Sequence, residues 1–198
     1  MGYHIRILGT QDPNISIDEI TAGLEKGRLG PAPFMDENWP VLLITNEQGD
    51  DLAQVERSPI LDGRLGKAEL EDFRKEIADG KPEAAAKWLD QYFDKIKVIY
   101  SFQILNSAFK GDNYSIISAV RNAIWNEIGG ILQADGQGFS NEDGFHILWQ
   151  FSDKATGGRR CAVLNGANEW VRFRMNLGDI GQRREFWEGK VPSGATRL

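Results

Sequence analysis

A chain of 198 residues, 41% hydrophobic and 26% charged, with six tryptophans and ten phenylalanines, is long enough to bury a sizeable core and too apolar for disorder. Its formal net charge of −6 sets the surface as a whole against nucleic acid and anionic membranes, and no apolar run approaches the roughly 18 residues that a membrane helix needs. One cysteine, Cys161, excludes an internal disulfide and a cysteine-rich zinc site; with no basic stretch leading into an apolar run at the start, no secretory leader is expected and the setting reads as cytoplasmic.

Along the chain, Tyr3 to Leu8 alternates as a strand does. Ser16 with Glu19 three residues on is a capping box, so a helix begins there, and Gly27 stops it. Leu29 to Pro40 carries three prolines and reads as an irregular connection. Val41–Thr45 and Leu52–Arg57 are strands around "NEQGDD", where Gly49-Asp50 suits a hairpin turn. Between Pro59 and Gly66 both charge and periodicity change. The chain is therefore expected to form a single α+β domain over 1–198, with a candidate N-terminal subdomain 1–62 and a main part 63–198.

From Lys67 to Ile96 the pattern turns helical. Leu70, Phe73 and Ile77 recur at three- and four-residue spacing, and the pattern breaks at Gly80-Lys81-Pro82. Ala85, Trp88, Leu89, Tyr92 and Phe93 then resume it. Lys97–Leu105 reads as a strand. Asp112 or Asn113 caps a helix whose stripe is Ile116, Ile117, Val120, Ile124 and Ile128, ended by Gly129-Gly130. Strands at Ile131–Ala134, Gly144–Phe151, Arg160–Leu164 and Glu169–Met175 follow with short turns. They predict an antiparallel sheet, a C-terminal meander, packed on helices. Its expected core is Val171, Phe173 and Met175 with Phe145, Ile147, Trp149 and Phe151, set on the stripe Ile117, Val120 and Ile124.

The stretch "ADGQGFSNEDGFHILWQF" crowds glycines, acids and His146 into one place. As a calcium loop it lacks oxygen ligands at the required spacing, because Phe139 and Gln150 fall where ligands belong. As a phosphate cradle it offers only G-x-G, with a strand where a helix should start. Ser140 has no nucleophile-elbow context, and Cys161 among Ala162, Val163 and Leu164 reads as a small buried hydrophobe. What remains is a hairpin with a loop near ten residues long, room enough for a binding loop. A small hydrolase or ligand-binding enzyme built on Asp135, Glu142 and His146 around that loop is the alternative function. No catalytic motif, metal or cofactor is called for.

From Lys154 onwards nine basic and four acidic residues alternate with aromatics. In "EWVRFRMN", Val171, Phe173 and Met175 share one face, and Trp170, Arg172 and Arg174 share the other. Arg183, Arg184, Phe186 and Trp187 extend the basic and aromatic character. Arginine beside tryptophan on an open sheet face suits a protein partner with an acidic patch. The competing use is a stem-covered sheet with Trp170 packed under a helix. In size, acidity and lack of catalytic motifs the chain is similar to bacterial polymorphic-toxin immunity proteins, a likeness of properties rather than of motifs. The expectation is a non-catalytic cytosolic module that binds, and neutralises or regulates, another protein through Trp170, Arg172 and Arg174.

Overall fold

The computed structural model describes residues 2–21, 24, 26–31, 41–61 and 63–198; the connection expected over Leu29–Pro40 lies outside the described residues from Ala32 on. The elements in chain order are β1 (Tyr3–Gly9), α1 (Ile17–Thr21), β2 (Arg28–Pro31), β3 (Leu42–Thr45), β4 (Asp51–Pro59), α2 (Arg64–Ile77), α3 (Glu83–Tyr92) and β5 (Val98–Ile104). Then come α4 (Asn113–Ile128), β6 (Ile131–Ala134), β7 (Gly138–Ser140), β8 (His146–Trp149), β9 (Gly158–Leu164), β10 (Trp170–Asn176), α5 (Ile180–Trp187) and β11 (Thr196–Arg197). The class is α+β. No helix among the described residues is long and apolar enough to cross a membrane.

The chain gathers into two compact units that interleave in sequence, Met1–Gly66 with Ile96–Gly130, and Lys67–Lys95 with Ile131–Leu198. The chain passes between the units three times. The cause is β5. It lies between β1 and β4, with Ile104 opposite Tyr3 on one side and Ala53 on the other, and so returns residues 96–130 to the first unit.

In the first unit the strands run β1-β5-β4-β3-β2, all antiparallel. The capping box at α1 forms as read: the Glu19 N–H donates to Ser16 Oγ at 3.1 Å, and the Ser16 N–H donates to Glu19 Oε2 at 2.7 Å. The β3–β4 turn is held by Asn46 Oδ1, which accepts from the N–H groups of Gln48 and Asp50. Ile116, Ile117, Val120, Ile124 and Ile128 of α4 are buried, and the helix packs on β1 and β4.

In the second unit the order is β6-β7-β8-β9-β10-β11. Neighbours are antiparallel except β8 and β9, which pair in parallel at His146 and Cys161. The loop expected between residues 135 and 143 contains a further strand, β7, paired on both sides. Gly138 makes this pairing fit: its φ is 110°, and a Cβ there would lie 2.0 Å from the Leu148 carbonyl oxygen. A glycine that reads as loop punctuation is here a strand residue approached closely by its neighbour.

Phe173 and Met175 face inward as the alternation predicts, with Val171 half-buried beside them. Their helical partner differs from the expected one. Phe186 of α5 completes a cluster with Cys161, Val163, Phe173 and Met175, whereas Ile117, Val120 and Ile124 serve the core of the first unit. Phe145 is buried as expected, but away from that cluster. His146, one residue on, shares a face with its pair partner Cys161, and Phe145 lies beneath Arg160 and Arg172. Trp149 nevertheless packs against the Phe186 cluster, so the strict alternation expected from Phe145 to Trp149 is interrupted between them. The helix α5 starts at Asp179, whose Oδ1 accepts from the Gln182 N–H at 3.1 Å.

Candidate functional site

The candidate catalytic residues of the sequence go to separate places. Asp135 sits in the turn between β6 and β7. Glu142 and Asp143 occupy the turn between β7 and β8, where the protein's own donors engage them. The Tyr92 hydroxyl donates to Glu142 Oε1 at 2.5 Å, and Arg172 Nη2 donates to Asp143 Oδ2 at 2.6 Å. Burial, reinforced by the bond to Glu142, pushes the Tyr92 hydroxyl pKa up, so Tyr92 remains the donor. Asn141 Oδ1 accepts from the N–H groups of Asp143 and Phe145 and shapes the turn.

His146 is 1% exposed, and neither ring nitrogen has a hydrogen-bond partner among the described residues. Its ring lies 4.8 Å from that of Phe151 and 6.1 Å from that of Phe186. Burial, and then the charge of Arg159, hold its pKa down to about 3, so the imidazole is neutral. Glu142 is thus bonded to Tyr92, and His146 is bonded to no carboxylate. Cys161 opposite is pushed up to about 12 by burial. A nucleophilic pair requires thiolate beside imidazolium, and both groups are moved the other way.

Since two of the loop's acids are committed to Tyr92 and Arg172, a chelator is expected to leave the melting temperature of the protein unchanged. A drop of several degrees would show a cation holding the loop.

The basic and aromatic residues do come together. The β9–β10 register sets Arg174 opposite Arg160, Arg172 opposite Ala162 and Trp170 opposite Leu164, all on the face away from Phe173 and Phe186. Trp170 is half-buried, its ring edge-on to that of Trp88 of α3 at 5.1 Å. This end of the face is thus used for intramolecular packing. The other end is open: Arg160, Arg172 and Arg174 are exposed.

Two of the guanidiniums lie over the buried ring of Phe145, Arg160 at 4.4 Å from its centroid and Arg172 at 5.3 Å. Arg172 has Asp143 as partner. Arg160 and Arg174 make no ion pair among the described residues. Like charges directly opposite across a strand pair destabilise the sheet, with Cβ atoms only about 4.5–5.5 Å apart.

Arg160 is the residue that the sequence reading missed. Its signal is present: with Cys161 inward, the residue before it must point out. Arg183 and Phe186, grouped there with the basic surface, belong elsewhere. Arg183 is 6% exposed and lies over the Trp149 ring at 5.4 Å. It donates to the carbonyls of Leu177, of Asp153 at 2.9 Å and of Ala155 at 2.6 Å. A buried guanidinium satisfied by carbonyls is a structural tie.

Comparison with protein-family models, with curated proteins and with solved structures finds no match for this chain. The functional reading therefore rests on the site.

Proposed function

We propose that the chain is a non-catalytic, cytoplasmic protein-binding module. The face of its C-terminal strands bearing Trp170, Arg172 and Arg174, joined by Arg160, receives an acidic patch on another protein. The supporting observation is the pair of exposed, uncompensated arginines opposite one another, Arg160 and Arg174. Folding alone favours a neutral or acidic residue at one of these positions. An arriving anion relieves the repulsion. Arginine also brings a planar, bidentate donor array and a stem that packs on the sheet, which suits it to interface hot spots. The overall charge of −6 makes a nucleic acid the less suitable polyanion. Neutralising or regulating a bacterial partner, as immunity proteins do, is the form of binding that the size and acidity suggest.

No observation favours a hydrolase built on Asp135, Glu142 and His146, because the histidine is buried, neutral and unpaired.

The test is the double variant Arg172→Ala/Arg174→Ala. The melting temperature should stay within about 2 °C of the parent, since both side chains are exposed. Partner affinity, measured by calorimetry on the partner that the parent captures, should fall by about ten- to a hundredfold. Binding by the parent should also weaken as salt rises. A large loss of melting temperature with partner affinity retained would assign the face to folding instead.

A further inference from the structure

We infer that the arginine face accepts an extended acidic segment of the partner, with carboxylates at alternate positions, and that Asp143 is a tethered stand-in for one of those carboxylates. The inference rests on the protein-binding reading and adds the chemistry of the ligand. Arg172 and Arg174 are two residues apart on one strand face, which separates their Cα atoms by about 6.5–7 Å. Side chains at positions i and i+2 of any extended peptide repeat at the same distance. An extended acidic segment therefore meets Arg172 and Arg174 with successive outward carboxylates, and Arg160, opposite Arg174, closes on the same anion from the neighbouring strand.

Occupancy points the same way. Of the three guanidiniums, only Arg172 has a carboxylate partner among the described residues, that of Asp143 at 2.6 Å. The arginine side chain is 46% exposed and the aspartate 48%, so water screens the pair and an incoming carboxylate can exchange with it. Asp143 comes from the β7–β8 turn and not from β9 or β10. It reaches the face from outside the strands that carry the arginines, as a ligand would. The Phe145 ring beneath Arg160 and Arg172 holds both guanidiniums close to the face before a partner arrives, so less rotamer freedom is lost on binding.

The test uses the full chain and three probes. One is a capped heptapeptide alternating serine and glutamate, another has the same composition with its glutamates contiguous, and the third is a short oligothymidylate of equal charge. The alternating peptide should bind the parent about five- to tenfold more tightly than the contiguous one. Asp143→Asn should strengthen that binding about three- to tenfold, because the tethered competitor is gone. Asp153→Asn, which removes an equal charge outside the β7–β8 turn, should change it less than twofold. Arg160→Ala with Arg174→Ala should abolish the preference for the alternating peptide while leaving the melting temperature near that of the parent.

Equal binding of the two peptides, or equal gains from Asp143→Asn and Asp153→Asn, overturns the inference. Tighter binding of the oligothymidylate overturns it in favour of a nucleic-acid face. The broader reading fails separately, when Arg172→Ala/Arg174→Ala leaves capture of the natural partner intact.

Discussion

Phe186→Ala should destabilise the protein by about 3–5 kcal/mol, a large part of the roughly 5–15 kcal/mol that holds a domain of ordinary size together. Phe186 is fully buried on α5, with ring centroids 6.1 Å from His146, 6.3 Å from Trp149 and 6.3 Å from Phe173. Cys161, Val163 and Met175 complete its surroundings. These neighbours sit on β8, β9 and β10, whose ladders prevent them from collapsing into the space, so a cavity remains and its cost adds to the lost transfer energy. In urea the midpoint should fall with the slope unchanged. Phe186→Leu keeps most of the volume and should cost about 1–1.5 kcal/mol. A loss below about 1 kcal/mol for the alanine variant would show that α5 does not seat on this sheet face. The arginine face is on the other side of β10, so partner binding should survive in the cold.

Acid should destabilise the protein through His146. Above the ordinary histidine pKa of 6.5 the side chain is neutral in both the folded and the unfolded chain and contributes nothing to the pH dependence. Below it the unfolded chain takes up a proton and the folded chain does not, because burial holds the folded value at about 3. Stability is then lost by about 1.4 kcal/mol per pH unit, which amounts to about 2 kcal/mol at pH 5 and of order 4 kcal/mol by pH 3.5. Carboxylates titrate in the same range, so the measurement is the difference between the parent and His146→Leu. Leucine removes two nitrogens that have no hydrogen-bond partner, which makes the substitution close to neutral or stabilising at pH 8. The advantage of the variant over the parent should grow by about 2 kcal/mol between pH 7 and pH 5. Parallel stability curves over that range would place His146 in contact with water or a proton acceptor in the folded state.

What the sequence determined by itself lies in local periodicity and capping. The reciprocal Ser16 and Glu19 bonds, the β3–β4 turn at Gly49-Asp50 and the α4 stripe with its Gly129 stop depend on residues within a few positions of one another, so pattern suffices to find them. The same holds for the alternation that sends Phe173 and Met175 inward and Arg172 and Arg174 outward.

Tertiary structure decided what depends on distant pairing. The insertion of β5 between β1 and β4 made the two units interleave in sequence. The approach of the Leu148 carbonyl to Gly138 made a strand of a stretch that reads as loop. Tertiary packing placed Phe145 under arginines and His146 beside Phe186, with the alternation interrupted before Trp149. Most of the site was hidden for the same reason. Arg172 and Arg174 could be read as outward, but the opposition of Arg160 to Arg174 and the reach of Asp143 to Arg172 join residues 14 and 29 positions apart in sequence. No local pattern encodes a distance of that kind. It is set by which strands pair and in which register, and the free energy that selects the register comes from burying cores such as the one around Phe186.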